Sequence, residues 1–186
     1  TCALLATEVR CWGWNEYGQA GSPSSDAVTT PTVVYGLDGD VLSVTAGGLH
    51  TCALMSDGTA WCWGNSFDGQ LGDGSSGEGS GALQPVQVDM GSHNLLEIAA
   101  GGYHTCALTT EHEVMCWGFN HVGQLGTGET PPGATSPLPR PVGGLDQQIA
   151  SLSAGFAHTC ALDEDGRIAC WGQAGSGELG DGREVP

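Results

Sequence analysis

Four residue types in this chain can bind, cross-link or catalyse: eight cysteines, six histidines, six tryptophans and an excess of carboxylates. The cysteines form four local pairs, Cys2/Cys11, Cys52/Cys62, Cys106/Cys116 and Cys160/Cys170. Zinc sites usually place two to four residues between paired ligands, whereas nine intervene in three of these pairs. A hairpin suits the spacing better. If Cys52 faces Cys62, then Leu54 faces Ala60, Met55 faces Thr59, and Ser56-Asp57-Gly58 forms a three-residue loop ending in glycine, the form a type I turn plus a left-handed residue takes. Cys160/Cys170 reads alike, with Glu164-Asp165-Gly166 at the tip, while Thr110-Glu111-His112 closes the third hairpin without glycine. Cys2 faces Cys11 if Ala6-Thr7 make a two-residue loop, a pair ill suited to primed turns. The spacing favours four intra-hairpin disulfides over metal ligation or free thiols, and disulfides imply periplasm, cell surface or exterior. No signal sequence is visible and the chain opens on Thr1, so an export signal is expected to have lain upstream and been removed.

The remaining chemical groups look structural or loop-borne. His50, His104 and His158 occupy one equivalent position per repeat. A metal or base role is conceivable, but recurrence favours a scaffold role, each ring bonding backbone within its own repeat. His93, His112 and His121 stand at unrelated positions and are expected to be exposed. Neither a Gly-x-Ser-x-Gly elbow nor a His-Glu-x-x-His helix is present, so no catalytic residue is assigned. Asp73 to Glu78 and Asp163 to Asp165 offer hard oxygens that calcium could take, yet the Asp-x-Asp-x-Asp-Gly ligand order is missing, so no metal or cofactor is expected. Trp12, Trp63, Trp117 and Trp171 recur once per repeat and are read as packing between repeats. Trp14 and Trp61 break that pattern. They are candidate surface anchors for a partner or a sugar, together with the acidic loop residues Asp73, Glu78 and Glu129.

These positions are set by repetition. Trp-Gly pairs at residues 12, 63, 117 and 171 recur in steps of 51, 54 and 54 residues. Each follows a Thr-Cys-Ala-Leu segment and precedes a Gly-x-x-Gly turn, Gly18–Gly21, Gly69–Gly72, Gly123–Gly126 and Gly177–Gly180. Three copies carry an upstream apolar strand ending in small residues, starting at Val41, Leu95 and Ile149. No segment keeps a helical period; the pieces read as short strands and turns. A period near 50 with about four strands per unit predicts an all-β fold of β-propeller blades, each a four-stranded antiparallel sheet. The chain is read as one repeat array, 1–186, with units at 1–21, 41–72, 95–126 and 149–180. The Pro-, Ser- and Gly-rich segments 73–85 and 127–141 read as surface loops.

Composition narrows the function classes. Glycine supplies 32 of 186 residues, and the formal net charge is −17 with a pI near 4.2. Such acidity argues against nucleic acid and anionic membrane surfaces as partners. All four basic residues are arginines; without lysine, Schiff-base and P-loop chemistry are excluded. No apolar run reaches the ~20 residues of a membrane span, and no direct membrane insertion is expected.

The unit Ala-Gly-Gly-x-His-Thr-Cys-Ala-Leu … Asp-Gly … Cys-Trp-Gly-x-Asn-x-x-Gly-Gln-Leu-Gly-x-Gly closely resembles the repeat of the regulator of chromosome condensation family, most completely over residues 47–74, from Gly47 through Asn65 to Gly74. The resemblance covers essentially the whole chain, and the cysteine pairs look like those of its exported bacterial branch. It implies a β-propeller, most often of seven blades. Four hairpins with three apolar strands give about 3.5–4 blades, so the chain is expected to be part of a larger ring or an arc completed by other subunits. Photoreception, which in this family uses tryptophans beside arginines, is not expected, because no Trp-Arg-His run occurs. Guanine-nucleotide exchange fits the disulfides and the charge poorly. The expected function is an exported, non-enzymatic module binding a protein through its inter-strand loops. The alternatives are a structural subunit of a homo- or hetero-oligomeric surface assembly and a carbohydrate-binding module.

Overall fold

In a computed structural model describing residues 1–6, 8–128, 135–145 and 148–182, the chain is all-β; no helix occurs among these residues. The strands are β1 (Cys2–Leu4), β2 (Val9–Gly13), β3 (Val28–Val33), β4 (Val41–Ala46), β5 (His50–Met55), β6 (Ala60–Gly64) and β7 (Ala82–Gln87). They continue as β8 (Leu95–Ala100), β9 (His104–Thr109), β10 (Val114–Gly118), β11 (Ser136–Pro141), β12 (Ile149–Ala154), β13 (His158–Asp163) and β14 (Ile168–Gly172). Four antiparallel sheets result, β1-β2-β3, β4-β5-β6-β7, β8-β9-β10-β11 and β12-β13-β14, each a blade with its strands in chain order.

Blade register follows from hairpin length. Cys2 pairs with Cys11, Cys52 with Cys62, Cys106 with Cys116 and Cys160 with Cys170. All four pairs are disulfide-bonded, and the chain has no free cysteine. The amide of Met55 donates to Thr59 O at 2.8 Å, closing the three-residue tip. In the third hairpin His112 takes the glycine's place with φ 63°. Left-handed backbone strains a histidine, but its Nδ1 lies 3.0 Å from Ile149 O of the next blade, an offsetting bond. The first hairpin closes through Leu5 N to Glu8 O at 2.8 Å, while Thr7 of its expected two-residue tip lies outside the described residues.

The segments 73–85 and 127–141 need correction. They are not loops throughout: β7 begins at Ala82 and β11 spans Ser136–Pro141, each forming the outer strand of its blade. These strands hide in the sequence because they contain prolines such as Pro85 and Pro139 and stay largely exposed. An outer strand needs ladder bonds on one side only, so proline is tolerated there.

The core lies between blades. One cluster joins Val9, Cys11 and Val34 of the first blade to Ala53 and Trp63 of the second. A second joins Cys52, Leu54 and Leu71 to Ala107 and Trp117, and a third joins Cys106, Leu108 and Leu125 to Ala161 and Ile149. β5 and β9 are buried at every residue because blades cover both their faces. β13 has a neighbour on one side only and shows alternation instead, with Thr159, Ala161 and Asp163 buried.

Each disulfide closes a loop of about ten residues, which the chain-entropy account values at roughly 2–3 kcal/mol. Intact-mass measurement after alkylation without reductant should therefore show no modified cysteine. Replacing Cys106 and Cys116 together by alanine should lower stability by about that amount, read as a lower urea midpoint. Eight alkylated thiols before reduction would overturn the bridges.

Candidate functional site

The polar residues that recur in each repeat meet at the blade junctions. The Thr105 hydroxyl donates to Gln70 O of the preceding blade at 2.9 Å, and the Trp117 indole donates to the same carbonyl at 3.0 Å. Because the Thr105 hydroxyl spends its proton on Gln70, it accepts at 2.8 Å from Nε2–H of His50, also in the preceding blade. That fixes the histidine as the Nε2–H tautomer. The next junction repeats this: Thr159 donates to Gln124 O at 3.2 Å, Trp171 donates to it at 2.9 Å, and His104 Nε2 reaches Thr159 at 2.9 Å. At the first junction Thr51 and Trp63 share Gln19 O at 2.8 and 3.2 Å.

The expectation that each histidine bonds backbone in its own repeat is thus corrected for His50 and His104. Successive side chains of a strand point to opposite faces. His50, Cys52 and Leu54 point to the next blade, while Thr51 and Ala53 point back, so the histidine meets a threonine of its neighbour. His50 and His104 are buried, and Nδ1 of each has no partner. A Cβ on Gly101 would collide with the His104 imidazole, as one on Gly47 or Gly155 would with His50 or His158, so the glycine three residues before the histidine admits the ring. Desolvation, with a smaller like-charge effect from His104, pulls His50 down to about 3. Desolvation, then His158, takes His104 down to about 4. Both rings are neutral spacers rather than bases. His158 is half-buried, as is Trp12.

The glycine-bracketed turn serves the same junction. Gly72 has φ +73°, and a Cβ there would lie 2.6 Å from Trp117 Nε1. Only glycine gives both the left-handed backbone and the room for the indole. At the position two residues beyond the repeated Trp-Gly, Asn15 and Asn120 accept from the amides of Ala20 and Leu125 at 2.7 and 3.1 Å. In the second blade Ser66, not Asn65, holds that position and is buried.

The expected surface residues do not form one site. Trp14 is exposed on the loop after β2. Trp61 is half-buried within β6, at the hairpin end of its blade and far along the sheet from Trp14's loop. The Asp73 carboxylate is occupied by Ser75, accepting from its amide at 3.0 Å and its hydroxyl at 2.5 Å. Glu78 is exposed, and Glu129 lies outside the described residues. No group of three or more His, Cys, Asp or Glu among the described residues is placed to hold a metal ion. Of the three histidines expected to be exposed, only His121 is. His93 is half-buried beside Glu111 at 3.5 Å, and His112 is held by Ile149 O.

The sequence pattern of the Regulator of chromosome condensation (RCC1) repeat matches residues 8–54, 57–108 and 111–162, and a second form of it matches 41–70, 96–124 and 149–178. The chain belongs to the RCC1 repeat family. Among RCC1 relatives, Ultraviolet-B receptor UVR8 of Arabidopsis thaliana is 30% identical over 94% of this chain and 39% of its own length. Probable E3 ubiquitin-protein ligase HERC4 of Homo sapiens is 35% identical over 95% of this chain and 17% of its own. The crystal structure of human WBSCR16 superposes with a TM-score of 0.84 at 27% identity, over 96% of this chain and 46% of that one. Prp20p of Saccharomyces cerevisiae superposes with 0.81 at 27% identity, over 100% of this chain and 45% of that one. The four blades are thus a partial RCC1 propeller, spanning less than half the length of each of these relatives.

Proposed function

We propose that this chain is part of an exported or cell-surface RCC1-type propeller of seven blades that binds a protein partner through its inter-strand loops and catalyses nothing itself. Its repeat units at 1–21, 41–72, 95–126 and 149–180 act as one array. One observation carries the reading: the recurring His50, His104, Thr51, Thr105, Thr159, Trp63, Trp117 and Trp171 side chains are engaged in blade junctions, whereas the non-recurring exposed residues Trp14, Phe67 and Glu78 stand on loops of one propeller end. A rigid scaffold with variable loops suits recognition. Similarity to Prp20p, described with binding properties to Gsp1p and histones, supports a protein as the partner class. The four disulfides support an oxidising location.

The test combines the substitutions Asp73→Asn, Glu78→Gln and Glu129→Gln in the full protein. Retention of a partner cross-linked from the native cell envelope should fall about tenfold or more while the circular dichroism spectrum and melting temperature hold. Unchanged retention refutes loop-mediated binding.

A further inference from the structure

Alternation of strand direction brings two kinds of loop to the same end of the array. Short loops join the first and second strands (47–49, 101–103, 155–157), and longer ones join the third and fourth (14–27, 65–81, 119–135). Aromatic rings gather at this end. Trp14 packs edge-on against Tyr17 at 5.6 Å. Tyr17 of the first blade and Phe67 of the second line a cleft of about 530 Å³ with Glu16, Glu78 and Leu83. Further round, Tyr103 packs edge-on against Phe119 and Phe156 at 6.2 and 5.5 Å, and Phe119 stacks on His121 at 4.5 Å.

The blades do not require these rings. Where the first blade has Tyr17 the second has Asp68, where the second has Phe67 the first has Glu16, and Phe156 stands where Gly48 and Gly102 do. None belongs to the three core clusters. Trp14 and Phe67 are each 55% exposed, and a clustered set of exposed rings marks an interaction surface. Among the described residues the arginines are segregated as well, whereas carboxylates stand at both ends, Glu8, Asp57, Asp89, Glu111 and Glu164 among them at the other. The three longer loops carry Glu16, Asp26, Asp68, Asp73, Glu78 and Glu129 and contain no Lys or Arg. Arg10, Arg140 and Arg167 lie toward the opposite end, at the start of β2, the end of β11 and the β13–β14 hairpin.

We propose that the cleft between Tyr17 and Phe67 docks an extended cationic segment of a polypeptide partner. Its guanidinium or ammonium groups lie over the Tyr17 and Phe67 rings, with the Glu16 and Glu78 carboxylates pairing them at the rim. Anionic lipid and nucleic acid are repelled by the same field. This inference rests on the protein-binding reading and specifies the partner's chemistry and its seat.

The probe is a fluorescein-labelled peptide of alternating Arg and Gly, titrated against the full protein by fluorescence anisotropy at low and raised salt. Saturable binding is expected, weakening with salt. Phe67→Ala, and Glu16→Gln with Glu78→Gln, should each weaken it about fivefold or more with melting temperature unchanged. Asp57→Asn with Asp89→Asn, at the opposite end, should leave it unaltered. The inference is overturned by equal loss from both pairs of neutralisations, by no loss from Phe67→Ala, by equal binding of an alternating Glu and Gly peptide, or by displacement of the peptide by oligosaccharides, RNA or anionic vesicles. If no peptide binds while partner retention still depends on Asp73, Glu78 and Glu129, this inference alone falls. If retention survives those substitutions, the protein-binding reading falls instead.

Discussion

Trp117→Ala should destabilise the protein by about 3–5 kcal/mol, a large effect for one residue. The indole is fully buried and belongs to the cluster that joins the second and third blades, with Cys52, Leu54, Leu71 and Ile98. Truncation leaves a cavity that rigid strands on both sides cannot fill. It also removes a donor from Gln70 O, though Thr105 continues to donate to that carbonyl at 2.9 Å. Trp117→Phe separates the two contributions, because it keeps most of the apolar volume and loses the bond, for which about 1 kcal/mol is expected. Trp14→Ala is the control: this ring is exposed, and its loss should change stability by no more than about 0.5 kcal/mol. Urea midpoints for the three variants decide the matter. A cost for Trp117→Ala no greater than that for Trp14→Ala would show that the junctions do not hold the blades.

Acidification should weaken the fold well before its carboxylates are protonated. His50 and His104 have folded-state values depressed from 6.5 to about 3 and about 4. Above pH 6.5 both rings are neutral folded or unfolded, and they contribute no pH dependence. As pH falls below 6.5 the unfolded chain gains protons that the folded protein refuses, so stability declines until the folded rings titrate. Each ring contributes a slope of about 1.4 kcal/mol per pH unit, giving about 2.7 kcal/mol per unit for the pair between roughly pH 6 and pH 4. Urea titrations at intervals of about one pH unit test this directly. His104→Gln keeps an N–H donor toward Thr159 and should halve the slope whatever it does to stability at neutral pH. A flat profile between pH 6.5 and pH 5 would be incompatible with neutral buried rings.

Much of the blade was legible because two short-range rules act on it. Side chains alternate along a strand and hairpin loops have few lengths, so pairing Cys52 with Cys62 carried Leu54↔Ala60 with it. The outer strands were not legible. Their signal is diluted by prolines such as Pro31 and Pro137, and an exposed edge imposes no apolar alternation. The histidine's partner was also beyond reach. Thr105 lies 55 residues from His50, and repetition alone cannot tell a bond inside a repeat from one to the next repeat at the same phase. The aromatic end of the propeller was half legible. Trp14 stood out as a departure from the repeat, but Tyr17 and Phe67 meet only because adjacent blades bring residues 50 apart to one cleft.

The junction network also has a direction. The second and third blades each give a histidine N–H and a glutamine carbonyl on one side and offer a threonine and an indole on the other, so the two faces of a blade are different surfaces. Contacts of this kind are heterologous: they continue in one rotational sense until they close or run on, and a two-fold pairing of like faces cannot satisfy them. Any blade added at either end of this array, in the same chain or another, must therefore arrive head to tail. The number of blades at closure is set by the angle each junction imposes, not by symmetry within the chain.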